Sequence, residues 1–186
     1  NDKWLVFAVF AVGLSTGVHL LSLLAFPSIA LLYYFKRYEK HTWLGMAIAA
    51  FCGVIAIFLF QSIIIIGIPD LWSFFEKLCV NSFGLPFHSG LIPTIIVISL
   101  VGYYGLRYFK NKGNDLMHKV VFTFFLLIVS YSTVGIVLIR ANAKPPINMN
   151  DPYDVMRLKP SLNREQYGDR SLLKGPIFDA RPVDMK

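Results

Sequence analysis

The sequence predicts an all-α membrane protein with about four transmembrane helices, one half-helix, an interfacial helix in an outer loop and a mostly irregular outer tail. The first observation behind this prediction is composition: the 186 residues are 55% hydrophobic and only 16% charged, which is rare in soluble domains. The second is distribution, because apolar runs long enough to cross about 30 Å of hydrocarbon as a helix recur along the chain. These runs are 4–35, 44–67, 90–109 and 117–139.

The first apolar run is too long for one span, and the polar stretch "GLSTGVH" at 13–19 interrupts it. Unwound backbone at membrane depth must be covered by protein or must line a wet cavity. We therefore expect a half-helix over 4–14 and a full helix over 18–35. Pro27 is expected to kink the full helix.

The other runs predict helices over 44–67, 90–109 and 117–140, so that residues 1–140 form the transmembrane region. The outer loop 68–89 contains "PDLWSFFEKLCVN", with a proline at a helix start and an apolar stripe, which predicts a short interfacial helix. The turn "GLPFHSG" then leads back into the membrane. The tail 141–186 has mixed charges and many prolines, and we expect extended chain with helical turns near 151–158 and 161–167.

The loop charges predict the orientation in the membrane. The connections 36–43 and 107–119 are rich in Lys and Arg, whereas the loop 68–89 carries only Asp70, Glu76 and Lys77. By the positive-inside rule the first two connections face the cytoplasm, and the loop 68–89 and the tail face outward. The net charge of +7 is thus an orientation signal, and a nucleic acid partner is not expected.

Several familiar chemistries are absent from the sequence. It contains no Walker loop, no GxGxxG, no CxxC and no HExxH motif. Cys52 and Cys79 are predicted to lie at different depths, so we treat them as packing residues rather than as a disulfide. The four histidines are far apart in sequence, which argues against a metal site. No metal or other cofactor is expected in this segment.

The candidate substrate-binding residues are polar side chains at the predicted membrane boundaries. They are His19, His88, Arg140, Asn142, Arg164, Glu165, Asp169 and Arg170. An intramembrane histidine is a functional candidate because uncompensated polar groups are costly there. An arginine at the end of a membrane helix can bind a lipid phosphate through two parallel hydrogen bonds.

Each candidate also has a structural alternative. His19 could simply bond a neighbouring helix, His88 could belong to a turn shaped by glycine and proline, and Arg140 could be an interfacial anchor. The charges of "LNREQYGDR" at 162–170 could form a salt-bridge network that holds a loop. Within that stretch we expect Arg164 to be mainly structural and Arg170 to act with Arg140.

Four stretches together resemble a known family: "GLSTGVHLLSLLAFP", "VNSFGLPFHSG", "IRANAKPPINMNDP" and "LNREQYGDR". They resemble multi-spanning bacterial membrane proteins catalogued as a domain of unknown function and related to animal protein O-mannosyltransferases, within the C-type glycosyltransferase superfamily. The "GLSTG" half-helix also resembles a break in the oligosaccharyl and mannosyl transferases of that superfamily.

The resemblance implies a transferase of the bacterial inner membrane, with the tail 141–186 on the periplasmic side. A polyprenyl-phosphate sugar would be the donor substrate, and a Ser or Thr hydroxyl of an exported protein would be the acceptor. Arg140 would hold the donor phosphate, with Arg164 or Arg170 assisting. The catalytic acid of such enzymes lies in the first outer loop, so this chain is expected to be a central fragment, inactive alone, and no catalytic residue is assigned.

Two other functions fit the same pattern. A transporter or flippase of lipid-linked or small polar substrates would also use broken helices and an intramembrane histidine. A structural subunit of an envelope complex would need neither donor nor acceptor. Membrane lipid is a partner in all three cases.

Overall fold

The computed structural model describes residues 2–163, 165 and 168, and these residues form helices and connections without a β-strand. Helical segments long and apolar enough to cross a membrane are present, which confirms the predicted all-α membrane class. They are Leu20–Arg37, Trp43–Ser82, Leu91–Asn111 and Asp115–Asn142.

The described residues contain the following α-helices: α1 Asp2–Thr16, α2 Ala25–Arg37, α3 Trp43–Leu59, α4 Ile68–Lys77, α5 Leu91–Asn111, α6 Asp115–Tyr131, α7 Ile136–Asn142 and α8 Val155–Leu162. Two 3₁₀ turns, Leu20–Leu24 and Ser132–Gly135, precede α2 and α7. Two π-helical stretches, Phe60–Gly67 and Leu78–Ser82, follow α3 and α4.

The helix α1 ends later than the sequence indicates. Its last residue is Thr16, whose hydroxyl donates to the carbonyl of Val12 at 2.7 Å and is therefore satisfied inside the helix. The chain leaves helical geometry at 17–19 and re-enters through the 3₁₀ turn before α2. Pro27 lies in the first turn of α2, directly after the 3₁₀ turn, where its missing N–H costs little.

The predicted boundary at Gly67 is wrong, because residues 43–82 form one continuous helical segment. The loop 68–89 is correspondingly shorter than expected, with only 83–90 outside a helix. The physical reason is that Pro69 occupies the start of α4, where proline is compatible with a helix that continues from a π-helical stretch. The helix predicted within 68–89 is thus present as α4, and it is continuous with the membrane helix.

Small residues bring the helices into close contact, as is typical of membrane bundles. Gly53 of α3 lies against the backbone of Pro27, and Gly45 against Tyr34, which makes α2 and α3 antiparallel. Gly13 lies against Ser130, and the Cβ position of Gly17 is 3.0 Å from the hydroxyl of Thr133. These contacts make α1 parallel to α6. This packing gathers residues 17–19, 83–90 and 143–163 at one end of the bundle, which we call the tail end.

The described part of the tail is more ordered than the sequence predicts. The helix α8 spans Val155–Leu162, later than the turn expected near 151–158, and the side chain of Asp154 caps it by accepting from Arg157 N at 2.8 Å. Part of the stretch 161–167, where a second turn was expected, lies outside the described residues. Its buried residues are Val155 and Leu158, and it packs on α4. The amphipathic stripe of α8 is only about two turns long, which is too short to be a strong sequence signal.

Replacing Gly53 by Ala should destabilise the bundle, because the new methyl would meet the backbone of Pro27, which cannot rotate away. Overpacking of this kind costs about 1–3 kcal/mol. The expected result is a lower melting temperature of the purified protein in detergent.

Gly105→Ala is the matched control. Its methyl would meet only a methyl of Val121 at 3.5 Å, an ordinary contact, and Ala is the better helix former by about 1 kcal/mol. Equal melting temperatures for the two variants would contradict the close α2–α3 contact.

Candidate functional site

A cavity of about 910 Å³ lies between α4, α5 and the α6–α7 segment. Its walls are mainly isoleucine, leucine and valine side chains. The polar or amphipathic side chains among its described lining residues are Trp72, His88, Thr94, Ser99, Tyr131, Ser132 and Asn142. No charged side chain lines the cavity within the described part of the chain.

A buried carboxylate holds the tail end of the cavity in place. Glu76 on α4 is 5% exposed and accepts hydrogen bonds from the backbone N–H groups of His88 and Gly90, the second at 3.0 Å. The indole Nε1 of Trp72 also donates to it, at 3.3 Å. These donors satisfy a charge that would otherwise be costly to bury. Glu76 therefore ties the turn 83–90 and the start of α5 to α4.

Sequence reasoning missed the role of Glu76, which it counted only as a loop charge. The sequence contains an indication of this role. Trp72 and Glu76 are four residues apart, so both lie on the same face of the helix as the apolar stripe. A carboxylate on the apolar face of an interfacial helix requires a partner, and the neighbouring turn "GLPFHSG" supplies it.

His88 is one of the predicted site residues, and its backbone is held in an uncommon conformation. Its φ of 72° lies in the left-handed region, which costs a non-glycine residue about 1–3 kcal/mol. The hydrogen bond from its N–H to Glu76 offsets that cost. His88 is among the residues that line the cavity, and it is exposed.

Asn142, also predicted, lines the same cavity although it is far from His88 in sequence. It is the last residue of α7, and its amide nitrogen donates to the carbonyls of Leu138 and Tyr153, both at 2.8 Å. Both amide hydrogens are therefore used, which leaves Oδ1 as an acceptor. The second bond also fixes the chain that leads into α8.

Arg140 does not line the cavity. Ile139 and Asn142 of α7 do, and a helix turns about 100° per residue, so Arg140 projects from a different side of α7. Its side chain is exposed and forms no hydrogen bond or ion pair with the described residues. It lies near the tail end, where the segment toward α8 begins.

His19 and Glu165, the other predicted site residues that the structure describes, do not line the cavity. His19 is exposed at the turn after α1, and its Nδ1 accepts from Leu21 N at 3.2 Å, which caps the following 3₁₀ turn. Glu165 is exposed and accepts from Asn163 at 3.2 Å. Arg164, Asp169 and Arg170 lie outside the described residues. Among residues that the structure describes, no His, Cys, Asp and Glu cluster could hold a metal ion.

One ion pair joins α8 to α4. The Nζ of Lys159 lies 2.6 Å from Oδ1 of Asp70, and Ser73 on the same helix donates to the sulfur of Met156 at 3.0 Å. The hydrogen bond and the negative charge of Asp70 raise the pKa of Lys159 above its ordinary value. With Leu158 buried beside the cavity, α8 closes part of its tail end.

Comparison with known proteins gives one finding. A family model described as the N-terminal domain of protein O-mannosyl-transferase TMEM260 matches residues 1–42, which contain α1, the turn at 17–19 and α2. No curated protein and no solved structure matches the chain. The N-terminal part of this chain is therefore similar to a protein O-mannosyltransferase family.

Removing the carboxylate of Glu76 should release the turn 83–90. A hydrogen bond to a charged group contributes about 1.5–3 kcal/mol, so Glu76→Ala should speed hydrogen exchange at the amides of His88 and Gly90 by roughly tenfold or more. Glu76→Gln should give a smaller effect, because it keeps one acceptor oxygen. The control is Glu39→Ala, which changes an exposed residue at the opposite end of the bundle. Equal rates of hydrogen exchange at His88 and Gly90 in the two alanine variants would contradict the role of Glu76.

The Lys159–Asp70 pair predicts a pH dependence of α8 docking. Because the folded-state pKa of Lys159 is raised, its stabilisation is fully present below the unfolded value of about 10.4 and is lost as pH rises through the folded pKa. Lys159→Gln should therefore lower the melting temperature at pH 7 and should make no difference at strongly alkaline pH. Lys36→Gln is the control. If Lys159→Gln lowered the melting temperature equally at pH 7 and at strongly alkaline pH, the charge of Lys159 would not be responsible for the stabilisation.

Proposed function

We propose that this chain is a central membrane segment of a glycosyltransferase that uses a polyprenyl-phosphate sugar and resembles the protein O-mannosyltransferases. Transfer takes place on the outer face of a bacterial inner membrane, to a Ser or Thr hydroxyl of an exported protein. The observation that carries the proposal is the match of residues 1–42 to a protein O-mannosyltransferase family.

The geometry of the matched residues supports the proposal. The helix α1 is about 22 Å long, shorter than the hydrocarbon thickness of about 30 Å, so its end and the turn at 17–19 need protection from lipid. Gly13 and Gly17 pack that end against Ser130 and Thr133 of the segment that leads into α7. Gly17 is half-buried there, whereas Val18 and His19 are exposed. Irregular backbone at membrane depth is typical of membrane proteins that handle polar substrates.

Arg140 is the described residue best suited to the donor phosphate. Its guanidinium is exposed at the tail end, has no partner among the described residues, and can bind phosphate through two parallel hydrogen bonds. Fixed positive charge near the phosphate stabilises the charge that develops as the sugar leaves. Arg164 and Arg170 follow in the same tail and complete the proposed phosphate site.

The cavity does not favour the alternative of a lipid flippase. A phosphorylated head group passing through it would meet no positive side chain in its described lining. Burying an unpaired charge among apolar side chains is strongly unfavourable. Transfer at the tail end, with the phosphate outside the cavity, avoids this cost.

Replacing Arg140 by Lys should weaken donor binding without unfolding the protein, because lysine keeps the charge but loses the two-pronged geometry. The measurement is the affinity for polyprenyl-phosphate mannose in nanodiscs, together with the melting temperature, in the full-length protein. We expect roughly a tenfold weaker affinity, since a charge-assisted bond contributes about 1.5 kcal/mol or more.

Arg107→Lys is the matched control, because Arg107 lies at the opposite end of the bundle and bonds Tyr103 at 3.2 Å. Arg164→Lys and Arg170→Lys complete the series and test the assistance expected of the tail. Unchanged donor affinity in all of Arg140→Lys, Arg164→Lys and Arg170→Lys would remove the phosphate site.

A further inference from the structure

We propose that the exposed side of the last turns of α5 binds the head group of an anionic phospholipid. The residues of this surface, which we call the basic band, are Tyr103, Tyr104, Arg107, Tyr108, Lys110 and Lys112. The band lies at the end of the bundle opposite the tail end. The inference therefore goes beyond the proposed function and does not depend on it.

The basic band lies on the side of α5 that faces away from α6. Gly102 and Gly105 are the residues through which α5 closely approaches α6. Because a helix turns about 100° per residue, Tyr103, Arg107 and Lys110 share one stripe on the far side of α5. All six residues of the band are exposed, and each of the three tyrosines is more than half exposed. The described part of the chain thus leaves this surface open to a ligand.

The stripe continues along α5 as an apolar surface. By the same helical period, the exposed side chains of Ile92 and Ile96 lie in line with Tyr103 and Arg107. Arg107 is about 17 Å beyond Ile96 along the helix. The order isoleucine, tyrosine, base is expected where a membrane helix passes from hydrocarbon through the interface to the head groups. The helix α5 is long and apolar enough to be such a span.

Two of the bases are held by tyrosines one helical turn away. The Nη1 of Arg107 donates to the hydroxyl of Tyr103 at 3.2 Å. The Nζ of Lys112 lies 4.6 Å from the centre of the Tyr108 ring, within the range of a cation–π interaction. A long side chain that is already held loses less conformational entropy when it binds a ligand. The two tyrosines therefore position these bases at the level of the lipid phosphates.

The charge of the band fits an anion. The stretch 101–114 contains three basic residues and no acidic residue, and Asp115 is the next acidic residue in the sequence. Each base near an anionic leaflet adds to the attraction, whereas the cationic group of a zwitterionic lipid opposes it. The bond to Tyr103 uses one of the five N–H donors of Arg107, and a guanidinium can bind phosphate through two parallel hydrogen bonds.

The apolar part of the stripe favours a phospholipid over a free phosphate. A free phosphate would contact only the bases. A phospholipid would also place an acyl chain along Ile92 and Ile96, on the same side of α5. The stripe therefore matches a lipid along its whole length, from the acyl chain to the head group.

The test compares two lipids with the same acyl chains, dioleoyl-phosphatidylglycerol and dioleoyl-phosphatidylcholine. Each is titrated into the full-length protein in an uncharged detergent, and native mass spectrometry gives the dissociation constant of the first bound lipid. We expect phosphatidylglycerol to bind about tenfold more tightly or better. The double variant Arg107→Gln, Lys110→Gln should lose most of this preference, since each base near the head group contributes roughly fivefold.

The controls separate a local site from the overall charge. Lys36→Gln with Lys40→Gln removes two exposed bases at the same end, in the connection between α2 and α3, and should keep most of the preference. Arg107→Lys should also keep most of it, because the charge remains. Tyr103→Phe should reduce it about twofold, because Arg107 loses the hydroxyl that holds it. Melting temperatures check that each variant is folded.

Two results would overturn the inference. If phosphatidylglycerol binds no more tightly than phosphatidylcholine, another part of the full-length chain, rather than lipid, covers the basic band. If the Lys36 and Lys40 double variant loses as much of the preference as the Arg107 and Lys110 double variant, the preference comes from the net charge of this end and not from the band. Neither result bears on donor binding at the tail end.

Discussion

The carboxylate of Glu76 is the interaction on which the tail end of this protein depends. It lies buried on α4 and accepts hydrogen bonds from Trp72 of the same helix and from the backbone of His88 and Gly90 in the turn 83–90. Through these bonds one carboxylate ties α4 to the turn 83–90, and α4 in turn contacts α8 through the ion pair of Asp70 and Lys159. The geometry at the end of the cavity where His88 lies thus depends on the hydrogen bonds of one buried carboxylate.

The position of the cavity follows from where the small residues lie. In lipid, helices gain little from burying apolar surface against each other, so close packing decides which faces meet. Gly102 lets α5 approach Phe125 of α6, and Gly105 lets it approach Val121. Between Gly90 and Gly102 the chain has no glycine, and the bulky residues Leu91, Ile95 and Ile98 of this stretch line the cavity. The cavity therefore lies along the part of α5 between the close contacts of Gly90 and Gly102.

Hydropathy alone was sufficient to predict the membrane class, because spans of about twenty apolar residues are an unambiguous signal. It could not predict that residues 43–82 form one continuous helical segment. Gly67, Pro69 and Asp70 are typical of a helix end, and whether they fit a π-helical stretch depends on tertiary contacts. Candidate residues chosen by chemistry included His88 and Asn142, but the cavity that both line arises where α4, α5 and the α6–α7 segment meet. The sequence analysis did not identify Glu76 as the residue that holds the turn 83–90, because this role depends on its burial, which the residue type does not reveal.

The π-helical stretch Phe60–Gly67 restricts which changes in chain length can be tolerated during evolution. It lies between two fixed points, the Phe60–Tyr131 ring contact and the Glu76 hydrogen bonds. A deletion of one residue there would rotate everything that follows by about 100° and would turn Glu76 away from the turn 83–90. Side chains facing lipid between these points can be exchanged freely for other apolar ones, whereas the number of residues cannot vary. In related chains this interval should therefore be conserved in length rather than in sequence.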